Sequence, residues 1–145
     1  MEVKILYRLC LFVALFPLVM EAQTDTTKFT KKNCINTFTT AKIESTKAGY
    51  QYWFIDENFL DGRTVKMSVV RPHEATHAPH KHVEDEVFFI LEGKAEFYLD
   101  GEWTPVPAYT SLYCPSNKMH GIRNAGDTEL KYLVIKKYQK KNNPQ

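Results

Sequence analysis

Three histidines and one glutamate have the residue types and spacing needed to hold a divalent metal ion inside a small β-barrel. His80 and His82 lie two residues apart, so on a β-strand both side chains point to the same face. Glu86 follows four positions later, and its parity places it on the face that carries Phe88 and Ile90. These three residues already form a ligand set large enough for a catalytic metal site.

The fourth candidate ligand, His120, follows a loop that begins at Pro115 and could carry the imidazole across the barrel. Imidazoles combined with one carboxylate suit one divalent transition metal, with Fe, Mn, Zn or Ni as the expected ions. Four protein ligands on an octahedral metal leave two positions for water, substrate or O₂. From the residues alone, residues 80–86 also fit a hydrophilic, histidine-rich loop, and we interpret His73 and His77 as surface or core residues.

The elements that must position these residues are short β-strands. Runs of alternating or β-prone residues are separated by turn signals such as Asp61-Gly62 and Asp100-Gly101. The regular spacing of these runs indicates an all-β sandwich or barrel. The predicted strands are residues 50–55, 64–71, 87–91, 94–99, 103–106, 111–114, 121–123 and 130–138.

Residues 64–71 alternate between an apolar face that contains Met67 and a polar face that contains Lys66. Arg71 falls on the same face as Met67. An inward Arg71 would clamp a substrate carboxylate, whereas at the barrel rim it would lie in water. Phe88 shares the face of the candidate glutamate and either walls a pocket or belongs to the core. The candidate substrate-lining residues are Arg71, Met67, Phe88 and Tyr98, and the candidate acids or bases are Glu84, Glu96 and Tyr98.

The amino-terminal residues have the pattern of a secretory signal peptide. Lys4 and Arg8 precede an apolar run at residues 9–20, and small and polar residues follow. We predict cleavage near Ala22 and therefore a secreted or periplasmic protein. The apolar run is too short to span a bilayer as a stable helix, so we expect no membrane partner after cleavage. Lipidation of Cys10 is the alternative interpretation.

The composition divides the chain into four parts. We predict a leader at residues 1–22, a linker or arm with at most one short element at residues 23–48, a β-barrel at residues 49–138 and a polar, basic tail at residues 139–145. The mature chain is long enough for one hydrophobic core and too short for two. Its formal net charge of +2 argues against nucleic acid as the main partner, and we expect a small molecule instead.

Two cysteines, Cys34 and Cys114, follow the predicted leader. An even number of cysteines in an oxidising compartment is compatible with a disulfide. Two separate buried thiols are the alternative, because the sequence does not give the distance between the two Cα atoms. The sequence therefore leaves the pairing open.

Residues 80–93 read His-x-His, three residues, Glu, six residues and Gly, and this pattern resembles the first sequence motif of the cupin family. Residues 115–124 read Pro-x-Asn-x-x-His-x-x-x-Asn, which is similar to the second motif. The resemblance covers about residues 64–136 and implies an all-β cupin barrel, the double-stranded β-helix or jelly roll. It also implies that one metal ion is bound by His80, His82, Glu86 and His120.

Two positions depart from the family pattern. Family members usually carry glycine where this chain has Asn117 and Tyr109. Asparagine is the non-glycine residue that best tolerates a positive φ, so we expect the first change to be mild, whereas the turn at Tyr109 must differ in detail. The resemblance further implies that Pro115 and Asn117 shape the loop that aims His120, and that Gly93 closes the hairpin after the first motif.

The resemblance does not supply a reaction, since cupins include dioxygenases, isomerases, decarboxylases, lyases and binding proteins. We expect an exported metal-dependent enzyme that acts on a small oxygenated molecule, with a dioxygenase first and an isomerase or lyase next. The alternative is a non-catalytic module in which the metal anchors a sugar or an organic acid. A titratable group near the metal favours the enzyme, and a wall of Phe, Ile and Met alone favours the binding module. Small cupins often pair through an edge strand, which implies a homodimer through residues 50–55 or 130–138.

Overall fold

The structure, a computed structural model, describes residues 29–59 and 61–139. These residues fall into two units, and the first unit ends at Cys34. It contains one short helix among its described residues, α1 (Lys31–Cys34). The predicted leader and the last six residues of the predicted tail lie outside the described residues. Within the described ranges, no helix is long and apolar enough to cross a membrane.

The second unit consists of β-strands in two sheets, preceded by a 3₁₀ turn at Thr40–Lys42. The strands are β1 (Glu44–Thr46), β2 (Gly49–Ile55), β3 (Arg63–Val70), β4 (Glu86–Glu92), β5 (Ala95–Leu99), β6 (Glu102–Val106), β7 (Ser111–Cys114), β8 (His120–Asn124) and β9 (Leu130–Lys137). The larger sheet has the order β1-β2-β3-β9-β4-β7, and the smaller sheet has the order β6-β5-β8. All neighbouring strands are antiparallel, and the predicted all-β fold is confirmed.

All eight predicted strands are present, and each boundary lies within one residue of its prediction. The prediction for the arm at residues 23–48 is wrong, because α1, the 3₁₀ turn and β1 all lie there instead of at most one element. The Glu-Ser-Thr sequence of β1 has no apolar alternation. It is a strand because it pairs with β2, from Thr46 opposite Gly49 to Glu44 opposite Gln51.

Of the two strands expected to join two copies of the chain, β9 is not an edge strand and β2 is covered along part of its length. In the larger sheet β2 lies between β1 and β3, and β9 lies between β3 and β4. A strand with a neighbour on each side has its backbone N–H and C=O groups already paired. Edge-to-edge pairing through residues 130–138 is therefore wrong, because β9 is paired on both sides. The described β1 covers only residues 49–51 of β2, so residues 52–55 are paired on one side by β3.

Three neighbouring strands, β3, β9 and β4, determine where the core ends and where a polar site begins. Their register aligns interior side chains in rows across the barrel. At one end Leu130 lies opposite Val70, and both side chains are buried in the apolar core. At the other end Lys136 lies between Thr64 and Glu86. The barrel interior is therefore apolar at one end and polar at the other.

Candidate metal centre

The four predicted ligands meet at the polar end of the barrel. Their ligand atoms all lie within 4.8 Å of one another. Glu86 begins β4 and His120 begins β8, whereas His80 and His82 lie in the loop before β4. A single antiparallel bridge joins His80 to His120, and in it each backbone N–H donates to the other residue's carbonyl oxygen at 2.9 Å. The structure thus brings the two sequence motifs together.

Two features of the loops permit this approach. A Cβ atom on Gly121 would lie 3.2 Å from Cα of Pro79, so the lack of a side chain there lets the loop of His80 lie against the start of β8. Asn117 adopts a φ of 59°, the positive value that asparagine was expected to tolerate. Its backbone N–H donates to the carbonyl oxygen of His82 at 2.8 Å, which ties the second motif to the first.

Each of the three histidines has its Nδ1 atom beside a backbone carbonyl oxygen two residues away in the chain. The Nδ1 to oxygen distances are 3.2 Å from His80 to Ala78, 2.7 Å from His82 to Glu84 and 2.8 Å from His120 to Lys118. A carbonyl oxygen only accepts hydrogen bonds, so these contacts assign the proton to Nδ1. The lone pair of each neutral ring is then on Nε2, as in metal-binding histidines whose orientation is fixed by a backbone carbonyl.

This proton assignment places acceptor atoms against one another. His120 Nε2 lies 3.0 Å from Glu86 Oε1, and His82 Nε2 lies 3.4 Å from the same oxygen. Among the described residues, His82 Nε2 is a buried nitrogen without a hydrogen-bond partner. Acceptors this close repel one another unless a proton or a cation lies between them, and an unpaired buried nitrogen is costly. The ligand set and its orphaned nitrogen therefore fit a divalent metal ion.

A cavity of about 150 Å³ adjoins the candidate ligands. Its wall contains titratable groups that the sequence analysis did not select for the site. Burial lowers the pKa of Lys66 and of His77, and burial raises the pKa of Tyr132 and of Tyr138. The wall consists of Lys66, Ser68, Thr76, His77, His80, His82, Glu86, Phe88, Gly121, Ile122, Tyr132, Val134, Lys136 and Tyr138.

His73 and His77, the two histidines that precede the first motif, have different surroundings. The ring centroid of His77 lies 5.7 Å from that of His80, so His77 borders the site without joining the ligand cluster. His73 is exposed, and its Nε2 lies 3.0 Å from an oxygen of Asp127. The cavity wall thus includes one histidine that was interpreted only as a surface or core residue.

Of the predicted substrate-lining residues, Phe88 is at the cavity wall. Arg71 is not among the described wall residues and does not act as an inward clamp. Its guanidinium lies 2.9 Å from a carboxylate oxygen of Glu74 and donates to the backbone oxygen of Lys47 at 2.6 Å. Half of the Arg71 side chain is exposed, since this residue follows the last residue of β3 and lies at the rim.

Met67 and Tyr98 also lie away from the described cavity wall. Lys66 and Ser68 line the cavity, and Met67, which lies between them on β3, faces the other side of the sheet. Tyr98 packs against Trp103 on the smaller sheet, with ring centroids 5.2 Å apart. The placement of Met67 was wrong because it assumed that the apolar face of β3 is the interior face. At this end of the barrel the polar face lies inside, since it borders the candidate ligands.

One of the candidate acids or bases lies at the site, and the others lie away from it. Glu84 lies beside the site, with Oε2 at 3.6 Å from Lys136 Nζ and 3.7 Å from His82 Nδ1. Glu96 is on the smaller sheet, where it pairs with Arg123. Glu84 is therefore the carboxylate that stands next to the ligand cluster without belonging to it.

The two cysteines are not joined by a disulfide. Cys34 is exposed and Cys114 is buried, so the alternative of two buried thiols is also wrong for Cys34. Burial strongly raises the pKa of the Cys114 thiol, which keeps it protonated and unreactive. Cys114 is opposite Glu86 in the β4–β7 pair and packs in the core beneath the site.

Comparison with known proteins points to one family. The family model described as "Cupin domain" matches residues 66–136, which include all four candidate ligands. An oxalate-binding protein from Thermotoga maritima is 35% identical over 57 residues, which are 39% of this chain and 47% of the relative. The polyketide synthase CurC from Streptomyces cyaneus is 32% identical over 67 residues, which are 46% of this chain and 44% of the relative. The chain thus spans less than half the length of each of these curated relatives.

Solved structures support the same fold. A cupin 2 conserved barrel domain protein from Salinispora arenicola superposes with a TM-score of 0.60 at 20% sequence identity. The alignment covers 72% of this chain and 87% of that protein. An identity this low shows the fold alone.

Proposed function

This chain belongs to the cupin superfamily, and we propose that it is an exported, metal-dependent enzyme that acts on a small oxygenated molecule. The observation that carries the proposal is the set of three Nε2 atoms and one carboxylate that face one another beside a cavity. A bound divalent ion would supply a Lewis acid that polarises a carbonyl, enolate or carboxylate oxygen of the substrate.

The walls of the cavity favour an enzyme over a passive binding site. Lys66, His77, Tyr132 and Tyr138 all line the cavity, and each has a pKa displaced by burial. Perturbed titratable groups gathered in a cleft are typical of sites that move protons. A wall of Phe, Ile and Met alone would have supported the binding module instead.

The described residues assign several supporting roles. The backbone carbonyl partners hold the three imidazole rings in one orientation, which pre-organises the ligand set. Phe88, Ile122 and Val134 are buried wall residues that exclude water from one side of the cavity. Tyr132 is a buried wall residue opposite Ser68, and we assign its hydroxyl the role of hydrogen-bond donor to a substrate oxygen.

A dioxygenase is the first reaction that we assign to this site, and an isomerase or lyase is the second. We would purify residues 23–145 without a polyhistidine tag, load the protein with Fe²⁺ or Zn²⁺, and incubate it with a panel of small hydroxy, keto and enol acids. Oxygen uptake that requires iron supports the dioxygenase. Turnover without oxygen uptake supports the isomerase or lyase, and binding without turnover supports the alternative below.

The alternative is a non-catalytic module in which the metal anchors a small organic acid. The name of the oxalate-binding relative favours this second function, although the match covers less than half of that protein. In that case the chain binds an organic acid with the metal present, and no product forms on prolonged incubation. Product analysis by mass spectrometry separates the two functions.

Export and self-association complete the proposal. Export rests on the leader pattern at residues 1–22, and it predicts a mature amino terminus near residue 23 when the full chain is expressed in a secreting cell. We infer a homodimer from the family resemblance, with the described edge strands of the larger sheet, β1 and β7, as candidate pairing surfaces. A monomer in sedimentation at micromolar concentration contradicts the homodimer, and retention of the leader contradicts export.

A further inference from the structure

Two lysines line the cavity, and they differ in how their charges are balanced. Lys136 Nζ lies 3.6 Å from an oxygen of Glu84, and the Lys136 side chain is 9% exposed. Lys66 has no carboxylate oxygen of a described residue within ion-pair distance. Lys66 Nζ lies over the ring of Trp53, 5.1 Å from the ring centroid. Lys66 is therefore the cation at this wall whose charge is not matched by a direct partner.

The position of Lys66 explains why this is unfavourable in the protein alone. Lys66 lies on the interior face of β3, opposite Val134 of β9, in the row next to the one that holds Glu86. Burial lowers the pKa of Lys66, and the more distant carboxylate of Glu86 partly opposes that effect. A partly buried ammonium group gains most from an anion that enters the cavity and accepts its hydrogen bonds.

The charges around the cavity point in the same direction. Glu84 and Glu86 carry two negative charges, and Lys66 and Lys136 carry two positive charges, so the four groups balance. A divalent cation held by the ligand cluster would leave an excess of two positive charges. The cavity volume of about 150 Å³ equals about five water molecules, which fits the head of a short organic acid.

We propose that Lys66 determines specificity by donating hydrogen bonds to a carboxylate of the ligand, so that the site selects small organic anions over neutral molecules of the same shape. This proposal rests on the proposed function, in which a metal ion also binds the ligand. The hydrogen bonds from Lys66 to the ligand do not themselves require the metal ion. Trp53 holds the ammonium group through its ring face, and the anion supplies the missing countercharge.

The test compares malonate with its neutral isostere malonamide. Binding is measured by calorimetry with wild-type protein, Lys66→Met, Lys66→Arg and the matched control Lys94→Met, which removes an exposed charge from the β4–β5 turn. We expect Lys66→Met to weaken malonate binding at least about tenfold and to leave malonamide binding within about twofold. Lys66→Arg should stay within about threefold of wild type, and Lys94→Met should bind malonate as wild type does.

Equal malonate affinity in wild type and Lys66→Met overturns the proposal, and so does an equal loss in Lys66→Met and Lys94→Met. Should Lys66→Met fail to fold, acetylation of wild-type Lys66 is followed by mass spectrometry. Protection by malonate but not by malonamide supports the proposal, and no protection overturns it. Each titration is repeated without metal. A Lys66 effect in metal-free protein upholds this inference even where elemental analysis refutes the metal site.

Discussion

The two ends of the barrel interior are made from the same three strands but have opposite chemistry. At the apolar end, Val70, Leu130 and Ile90 come from β3, β9 and β4, and all three are buried in the core. At the polar end, the same strands contribute Thr64, Lys136 and Glu86 in one row. The change from core to site takes place within seven residue pairs along a continuous ladder, and every second pair faces the interior.

One continuous sheet thus contributes to stability at one end and to the candidate site at the other. Burial of apolar side chains stabilises the fold at one end, whereas burial of charged and polar groups at the other end costs stability unless they are partnered. The orphaned Nε2 of His82 and the unmatched Lys66 both lie at the polar end. Buried polar groups without a matching partner are expected at functional sites.

A cavity at the apolar end should change the stability of the protein most. Ile90→Ala removes a side chain with 0% exposure and leaves a cavity, so we expect the free energy of unfolding to fall by about 2–5 kcal/mol. Urea denaturation measures this change. Metal stoichiometry in the folded variant should equal that of wild type, because Ile90 lies two rows from Glu86. If the Ile90→Ala variant keeps wild-type stability, the conclusion that the apolar end stabilises the fold is contradicted.

A metal ion that binds at the polar end should have the next largest effect on stability. Mn²⁺ at a hundred times its dissociation constant should raise the free energy of unfolding of wild-type protein by about 2.7 kcal/mol. Glu86→Gln keeps the shape of the side chain but removes the charged ligand, so the same Mn²⁺ concentration should stabilise this variant much less. Thermal unfolding with and without Mn²⁺ provides the comparison. Equal stabilisation of both proteins contradicts the role of Glu86.

The smallest change in stability is expected at two turns, one at each end of the barrel. Tyr109 has a φ of 60° and donates its N–H to Ile90, whereas Asn117 has a φ of 59° and donates to His82. A left-handed backbone strains tyrosine more than asparagine, so Tyr109→Gly should stabilise the protein by about 1 kcal/mol. Asn117→Gly, the matched control, should change stability by only a few tenths of a kcal/mol. Equal shifts in the two urea midpoints would refute this account of the strain.

Local patterns were sufficient for the strands, because alternation and turn residues located eight strands to within one residue. The ligand cluster was predicted through the resemblance of two motifs to the cupin family, and the four side chains that this resemblance implied do converge. The interior face of β3 was not predictable by the same reasoning. Hydrophobic alternation assigns apolar residues to the inside, but Lys66 and Ser68 face the cavity there.

The surroundings of single charged residues also depend on tertiary structure. Arg71 has the parity of Met67, yet the nearby Glu74 and a backbone oxygen bind its guanidinium at the rim. Lys136 reaches the cavity because β9 lies between β3 and β4, an order that the sequence pattern does not reveal. The strand β1 was missed for the same reason, because its pairing with β2 makes it a strand.

Elemental analysis tests the metal centre most directly. Tag-free mature protein and its His82→Ala variant would be purified side by side, dialysed against metal-free buffer, and measured for transition metals per chain. We expect close to one divalent ion per wild-type chain and a large loss in the variant, because His82 is one of the four candidate ligands. The same metal content in both proteins, or none in wild type after incubation with Fe²⁺, Mn²⁺, Zn²⁺ or Ni²⁺, would contradict it.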